Sequence, residues 1–137
     1  PKQIIGIKDS TYNLYEVLNI KNFSVFPGSE SKLLKGLKLG CKGIITATTN
    51  VTGSLARDVY DSYLSNSKQN SNQKLCEVRD SFEKFNLISG LHTLLSQKNP
   101  IFKNLLPPLK LLSKNEQDEL LADLKKFDFK LETLKAA

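Results

Sequence analysis

Gly6-Ile7-Lys8-Asp9-Ser10 is the stretch on which the fold turns. It closes the apolar run Gln3-Ile4-Ile5-Gly6-Ile7 and puts a lysine where a strand ends. An ammonium at the end of a buried strand is costly unless it is used. Burial lowers a lysine's pKa and yields the neutral amine that Schiff-base chemistry needs. Taken alone, Lys8 reads equally as a solvated lysine at a strand end. Asp9 follows directly, so on a strand it faces the other way, as a capping carboxylate rather than a partner in catalysis.

Outward from this stretch the chain alternates. Ile4–Lys8, Phe23–Phe26 and Gly43–Thr48 are apolar or β-branched and read as strands. Thr11–Leu18, residues 31–39 and Ser54–Leu64 carry stripes at helical spacing: Leu14, Val17 and Leu18, then Leu33, Leu34 and Leu37, then Leu55, Val59, Tyr60, Tyr63 and Leu64. Gly40 stands at a helix stop. Three short β-α alternations predict an α/β fold with a parallel sheet. The polar run Ser65–Gln73 reads as a linker. A helical region follows over 74–137, with helices at Lys74–Phe85, Leu87–Gln97 and Asn115–Phe127. Ser113 and Glu116 form a capping-box signature for the last one. Pro100 and Pro107-Pro108 predict an extended connection before it.

Three blocks, taken in order, resemble one family. They are Gly6-Ile7-Lys8-Asp9-Ser10, Val25-Phe26-Pro27-Gly28-Ser29-Glu30 and Gly40-Cys41-Lys42-Gly43-Ile44-Ile45-Thr46-Ala47-Thr48-Thr49-Asn50. Together they are similar to the dihydrodipicolinate synthase/N-acetylneuraminate lyase family, class I aldolases on a (β/α)8 barrel. Ser71–Phe129 resembles that family's C-terminal helices. The resemblance implies that residues 1–64 are the C-terminal part of a TIM barrel, its strands six to eight, with the tail helices after a linker at 65–73. A whole barrel of this type needs about 250 residues, and this chain has 137, starts at Pro1 and contains no methionine. The expectation is a C-terminal fragment, with sheet edges that tend to pair with another copy.

The resemblance also implies roles. Lys8 would be the amine that condenses with pyruvate or another 2-oxo acid, with no cofactor and no metal. Ile45 would offer its backbone carbonyl to the pyruvyl part of the substrate. Gly28, Glu30 and Thr46 would line the substrate side. Glu30 reads equally as a residue that opens the next helix, and Ser31 replaces the second acid of the sialic-acid lyase branch. Asn50 is expected to hold its turn by side-chain-to-backbone bonds. The family's hydroxyl pair near strand two and its tyrosine near strand five have no counterpart. Tyr12, Tyr15, Tyr60 and Tyr63 all lie on predicted helices. Low activity of the isolated chain is therefore expected, because acid–base help is worth roughly 10²–10⁴-fold. Dihydrodipicolinate synthase is the first-choice label. The Lys8-Asp9-Ser10 wording leans toward the 2-keto-3-deoxy sugar-acid aldolases, and a non-catalytic, self-associating fold fragment is the alternative from another class.

Composition adds bounds. The net charge is +6, yet of 20 Lys and Arg only Arg57 and Arg79 are arginine. Scattered lysines do not make the bidentate contacts that nucleic acids favour, so no nucleic-acid partner is expected. No stretch approaches the roughly 20 apolar residues of a membrane span. Cys41 and Cys76 lack metal spacing and read as reduced core thiols of a cytoplasmic protein. His92, the one histidine, shows no partner in the sequence and reads as a surface or interface residue. The expected partners are a small 2-oxo acid and further copies of the chain.

Overall fold

A computed structural model describes residues 3–131. The first two residues of the 1–64 segment and residues 132–137 of the helical region lie outside the described residues. The chain divides into two compact units, Pro1–Cys76 and Glu77–Ala137. The division falls within a helix, just after the polar run 65–73.

The first unit is built on a parallel pair of strands. β1 (Gly6–Asp9) pairs with β2 (Ser24–Pro27), with Gly6 opposite Ser24, Ile7 opposite Val25, Lys8 opposite Phe26 and Asp9 opposite Pro27. A bond from Ser24 N to Ile5 O, 2.9 Å long, extends the ladder by one step. Parallel strands need a crossover of a dozen or more residues, and residues 10–23 supply it. The helix predicted over Thr11–Leu18 shrinks there to a 3-10 turn at Leu14–Glu16. The physical reason is local. The Asp9 carboxylate accepts the backbone N–H groups of Thr11, Tyr12 and Leu14, and Asn13 takes a left-handed φ of 52°.

The third predicted strand, Gly43–Thr48, does not form as a strand. Among the described residues its run meets β2 through the backbone bond from Ile45 N to Pro27 O, 3.1 Å long. Pro27 has no N–H to give back to a ladder, and Gly43 sits at φ 148°. The remaining elements of this unit are helical. A 3-10 turn (Glu30–Lys32) runs into α1 (Leu33–Lys38), and α2 spans Thr49–Leu64. α2 starts five residues before the predicted Ser54, because Thr46 Oγ1 accepts from Thr49 N at 3.1 Å and opens the helix early. Leu33 and Leu37 of α1 pack with Ala56 and Val59 of α2 and with Leu75. The Tyr63 hydroxyl donates to Leu37 O at 3.2 Å. A smaller cluster joins Tyr15, Val25 and Cys41.

The other helices fall close to their predicted ranges: α3 (Asn72–Glu83), α4 (Leu87–Ser96) and α5 (Lys114–Lys126). In the second unit Phe82, Gly90 and Leu120 meet. A Cβ on Gly90 would lie 3.2 Å from Phe82 and 3.8 Å from Leu120. The capping box forms as read: Ser113 accepts from Glu116 N, and Glu116 accepts from Ser113 N at 2.8 Å. Asp123, buried on α5, is held by Lys84 at 2.5 Å and Lys126 at 2.7 Å. Hydrogen bonds from these two lysines outweigh burial and keep its carboxyl below the usual range.

The proline segment departs from an extended path. Pro100 opens a 3-10 turn, Pro100–Lys103, and the Pro107–Pro108 peptide is cis within a turn. His92 does have a partner. Its Nδ1 lies 2.8 Å from Phe102 O and its ring meets Phe102 edge-on, so it clamps this turn onto α4.

The tightest strand contact yields a test. A Cβ on Gly6 would lie 2.6 Å from the backbone oxygen of Ser24. Gly6→Ala must push β1 from β2, and we expect a loss of about 1–3 kcal/mol, the usual range for overpacking. Urea titration followed by circular dichroism measures it; an unchanged midpoint contradicts this account of the pairing.

Candidate active site

Parallel strands finish at the same end of a sheet. Lys8 and Asp9 are the last residues of β1, and Gly28 follows the last residue of β2. Ile45 is bonded to Pro27. The sequence-predicted residues Lys8, Gly28 and Ile45 are therefore gathered on one rim by backbone pairing alone.

Lys8 is exposed, which corrects the expectation of a buried strand end. β1 is paired only on its β2 side among the described residues. Along it Ile4 is 62%, Ile5 74% and Ile7 40% exposed. The shelter that imine chemistry requires is not supplied by these residues. Among the hollows of this unit, one of about 350 Å³ lies beside Tyr15, Val25 and Cys41, and another of about 380 Å³ beside Leu33, Ile44 and Tyr60. Neither has Lys8 in its lining. Burial pushes the Cys41 thiol up, away from the reactive thiolate.

Asp9 points the other way and is buried. Its two oxygens accept from Thr11 N (3.1 Å), Tyr12 N (2.9 Å) and Leu14 N (2.5 Å). Burial by itself would raise its carboxyl. The three backbone donors and the charge of Lys32 overcome that and hold it below the ordinary range. Asp9 thus shapes the loop after β1.

Gly28 marks where that loop and the turn after β2 nearly touch. A Cβ there would sit 3.0 Å from Ser10 Cα and 3.1 Å from Asp9 O. The side chain of Ile45 is 49% exposed, and its N–H is spent on Pro27. Asn50 Nδ2 donates to Ala47 O at 2.8 Å, in the turn-holding role expected of it.

Glu30 stands in the first turn of the 3-10 segment Glu30–Lys32, and its side chain is turned inward. Its side chain neither caps α1 nor meets solvent: it is 0% exposed. Its Oε1 accepts from Thr46 Oγ1 at 2.7 Å, from Thr52 Oγ1 at 3.1 Å and from Thr48 Oγ1. Thr46, expected to line the substrate side, donates a hydroxyl hydrogen bond to this carboxylate. Sequence reasoning missed the cluster, although a signal was there. Thr48, at φ −69° and ψ −20°, stands in the turn that opens α2, and Thr52 lies four residues on, one helical turn later. On the outside of the same turn, the Ser29 and Ser31 hydroxyls bond each other at 2.9 Å.

Among the described residues no group of three His, Cys, Asp or Glu side chains is placed to hold a metal. No helix among them is long and apolar enough to cross a membrane.

Residues 1–127 match the model of the dihydrodipicolinate synthetase family. A 4-hydroxy-tetrahydrodipicolinate synthase from Buchnera aphidicola subsp. Baizongia pistaciae is 31% identical over 119 residues, which is 82% of this chain and 35% of that protein. The crystal structure of dihydrodipicolinate synthase from Aquifex aeolicus superposes with a TM-score of 0.81 at 22% identity, over 96% of this chain and 48% of that one. YagE from E. coli K12, solved in complex with pyruvate, gives 0.80 at 20% identity over 93% and 47%. At these identities the structural likeness establishes fold alone. The chain spans less than half the length of each.

The Asp9 nest has a definite sign with pH. Its carboxyl is held low in the folded chain, so the stability it adds is present above the unfolded value and is lost as pH falls through the folded one. Asp9→Asn should flatten the loss of stability below about pH 4, and Asp9→Ala should cost about 1–2 kcal/mol at neutral pH, as for a lost cap. Urea midpoints measured across pH check both; parallel curves for the original chain and Asp9→Asn would contradict the first.

Proposed function

The chain belongs to the dihydrodipicolinate synthetase family, and we propose that it carries the imine-forming part of a pyruvate- or 2-oxo-acid-dependent lyase of the dihydrodipicolinate synthase type. Lys8 is the amine. Its neutral nitrogen attacks the ketone carbon, one proton moves from that nitrogen to the former ketone oxygen, and a second proton, taken from solvent, lets this hydroxyl leave as water; the C–O bond breaks and a protonated imine remains that withdraws electrons from the neighbouring carbon. Carbon–carbon bond formation or cleavage follows at that carbon. Gly28 and the Ile45 backbone face the pyruvyl part.

The observation that carries this reading is the shared strand end. The family match runs through Lys8, Gly28 and Ile45, and the β1–β2 register together with the Ile45–Pro27 bond brings their backbones to one rim. The pyruvate complex of YagE supports the substrate class. The exposure of Lys8 supports low turnover by this chain alone, since a solvated site neither concentrates the ketone nor excludes water.

A specific observation favours a second reading beside it. The unpaired side of β1 and the exposed Ile4, Ile5 and Ile7 form a strand edge that draws another strand. In that reading the chain by itself is a self-associating piece of fold without catalysis. A clean monomer in sedimentation at high concentration would remove it.

Incubation with pyruvate and borohydride, followed by peptide mass analysis, tests the first reading. We expect the reduced adduct on the peptide containing Lys8, and its loss in Lys8→Arg. Labelling spread over other lysines, or retained in Lys8→Arg, refutes the role of Lys8. An aldol assay on the chain alone should run at least 10²-fold below a complete enzyme, the scale of missing acid–base help.

A further inference from the structure

We propose that Glu30 is a positioning residue: its buried carboxylate locks rim segment 45–48 to the turn after β2 and so sets where the Ile45 backbone stands at the strand end that carries Lys8. The inference rests on the reading of Lys8 as the imine-forming amine, and it assigns Glu30 a task different from substrate contact.

A carboxylate removed from water is costly unless hydrogen bonds replace the lost hydration. Glu30 is 0% exposed, and at its Oε1 the replacement is supplied by threonines. They come from two structural contexts. Thr46 belongs to the run after Ile45, and Thr48 stands two residues on, in the turn that opens α2. Thr52 lies in the first turn of α2, four residues after Thr48. One oxygen, Oε1, therefore ties together the turn after β2, the rim segment and the start of α2.

The donors are unequal. Thr52 Oγ1 lies 3.1 Å from Glu30 Oε1 and 3.0 Å from Thr48 O, so its one hydroxyl proton is shared between them. Thr46 and Thr48 make the main contacts. Thr46 also accepts from Thr49 N, and its own carbonyl accepts from Thr49 Oγ1 at 2.8 Å, which carries the constraint into the helix start. Beside these contacts stands the ladder bond from Ile45 N to Pro27 O. Lock and ladder together hold Ile45 in place. The outward hydroxyls of Ser29 and Ser31 bond each other, so the exposed side of this turn offers neutral groups to a substrate.

The test uses the full chain with Glu30→Ala, Glu30→Gln and Thr48→Val. Amide hydrogen exchange is read at Ile45, Thr49 and Thr52, with Ser24 and Cys41 as references in the same unit. In Glu30→Ala we expect exchange about tenfold faster at the three rim amides and unchanged at the references, a local opening. Glu30→Gln keeps an oxygen acceptor and should restore most of the protection. Thr48→Val, which keeps the carboxylate, should give the same pattern with a smaller rise. Pyruvate trapping by borohydride on the same samples should need about tenfold more pyruvate for half-saturation in Glu30→Ala, with the final extent at Lys8 unchanged. Equal acceleration at rim and reference amides, in Thr48→Val as in Glu30→Ala, would overturn the proposal, because Glu30 would then only stabilise the unit. So would unaltered exchange at the rim. Local opening in the variants, with no adduct on Lys8 in any sample, would leave the lock standing and refute the role of Lys8.

Discussion

Pairing of two four-residue strands in parallel register is the constraint from which the rest of the candidate site follows. Gly6–Asp9 and Ser24–Pro27 are too short to be stable alone. They persist because Val25 is buried against Tyr15 and Cys41, and because α1 and α2 close over the neighbouring core. Once the register is set, everything that follows each strand emerges at one end. The loop shaped by Asp9, the turn at Gly28 and the rim around Ile45 are consequences of that single geometric fact. The requirement at Gly6, where backbone oxygen approaches to within a side chain's reach, shows how little slack the pairing has.

Two buried carboxylates divide the work around this pair. Asp9 accepts from backbone amides, and Glu30 accepts at Oε1 from threonine hydroxyls. The chemical difference matters. Amide donors are fixed in the loop they belong to, so Asp9 organises its own neighbourhood. Hydroxyl donors come from residues 16 to 22 positions away, so Glu30 connects separate pieces of chain.

Much of this was legible in the sequence, for physical reasons that differ by element. The helices at Leu87–Ser96 and Lys114–Lys126 announced themselves because leucine spacing and a capping box act locally. The family likeness was legible through three short blocks, and their shared strand end came with it. What escaped depended on partners distant in sequence. The predicted helix over Thr11–Leu18 lost its first turn to a carboxylate outside it. The predicted strand at Gly43–Thr48 had β-branched residues but faced a proline without an N–H. Lys8 looked buried because the isoleucines before it are apolar, and apolar character says nothing of whether a covering layer is present. Glu30 was placed on the substrate side by the family resemblance of its turn, or at the opening of the next helix, whereas its side chain turns inward to threonines further along the chain.

The crossing at Gly28 reaches beyond the present chain. Backbone meets backbone there, so the spacing between the two rim turns is set by atoms no substitution can trim. Respacing the two turns on such a scaffold therefore means lengthening the stretch between Asp9 and Tyr12. Bulkier or smaller groups at the crossing itself are not a tuning parameter, which makes loop length, rather than side-chain volume, the natural variable for redesign.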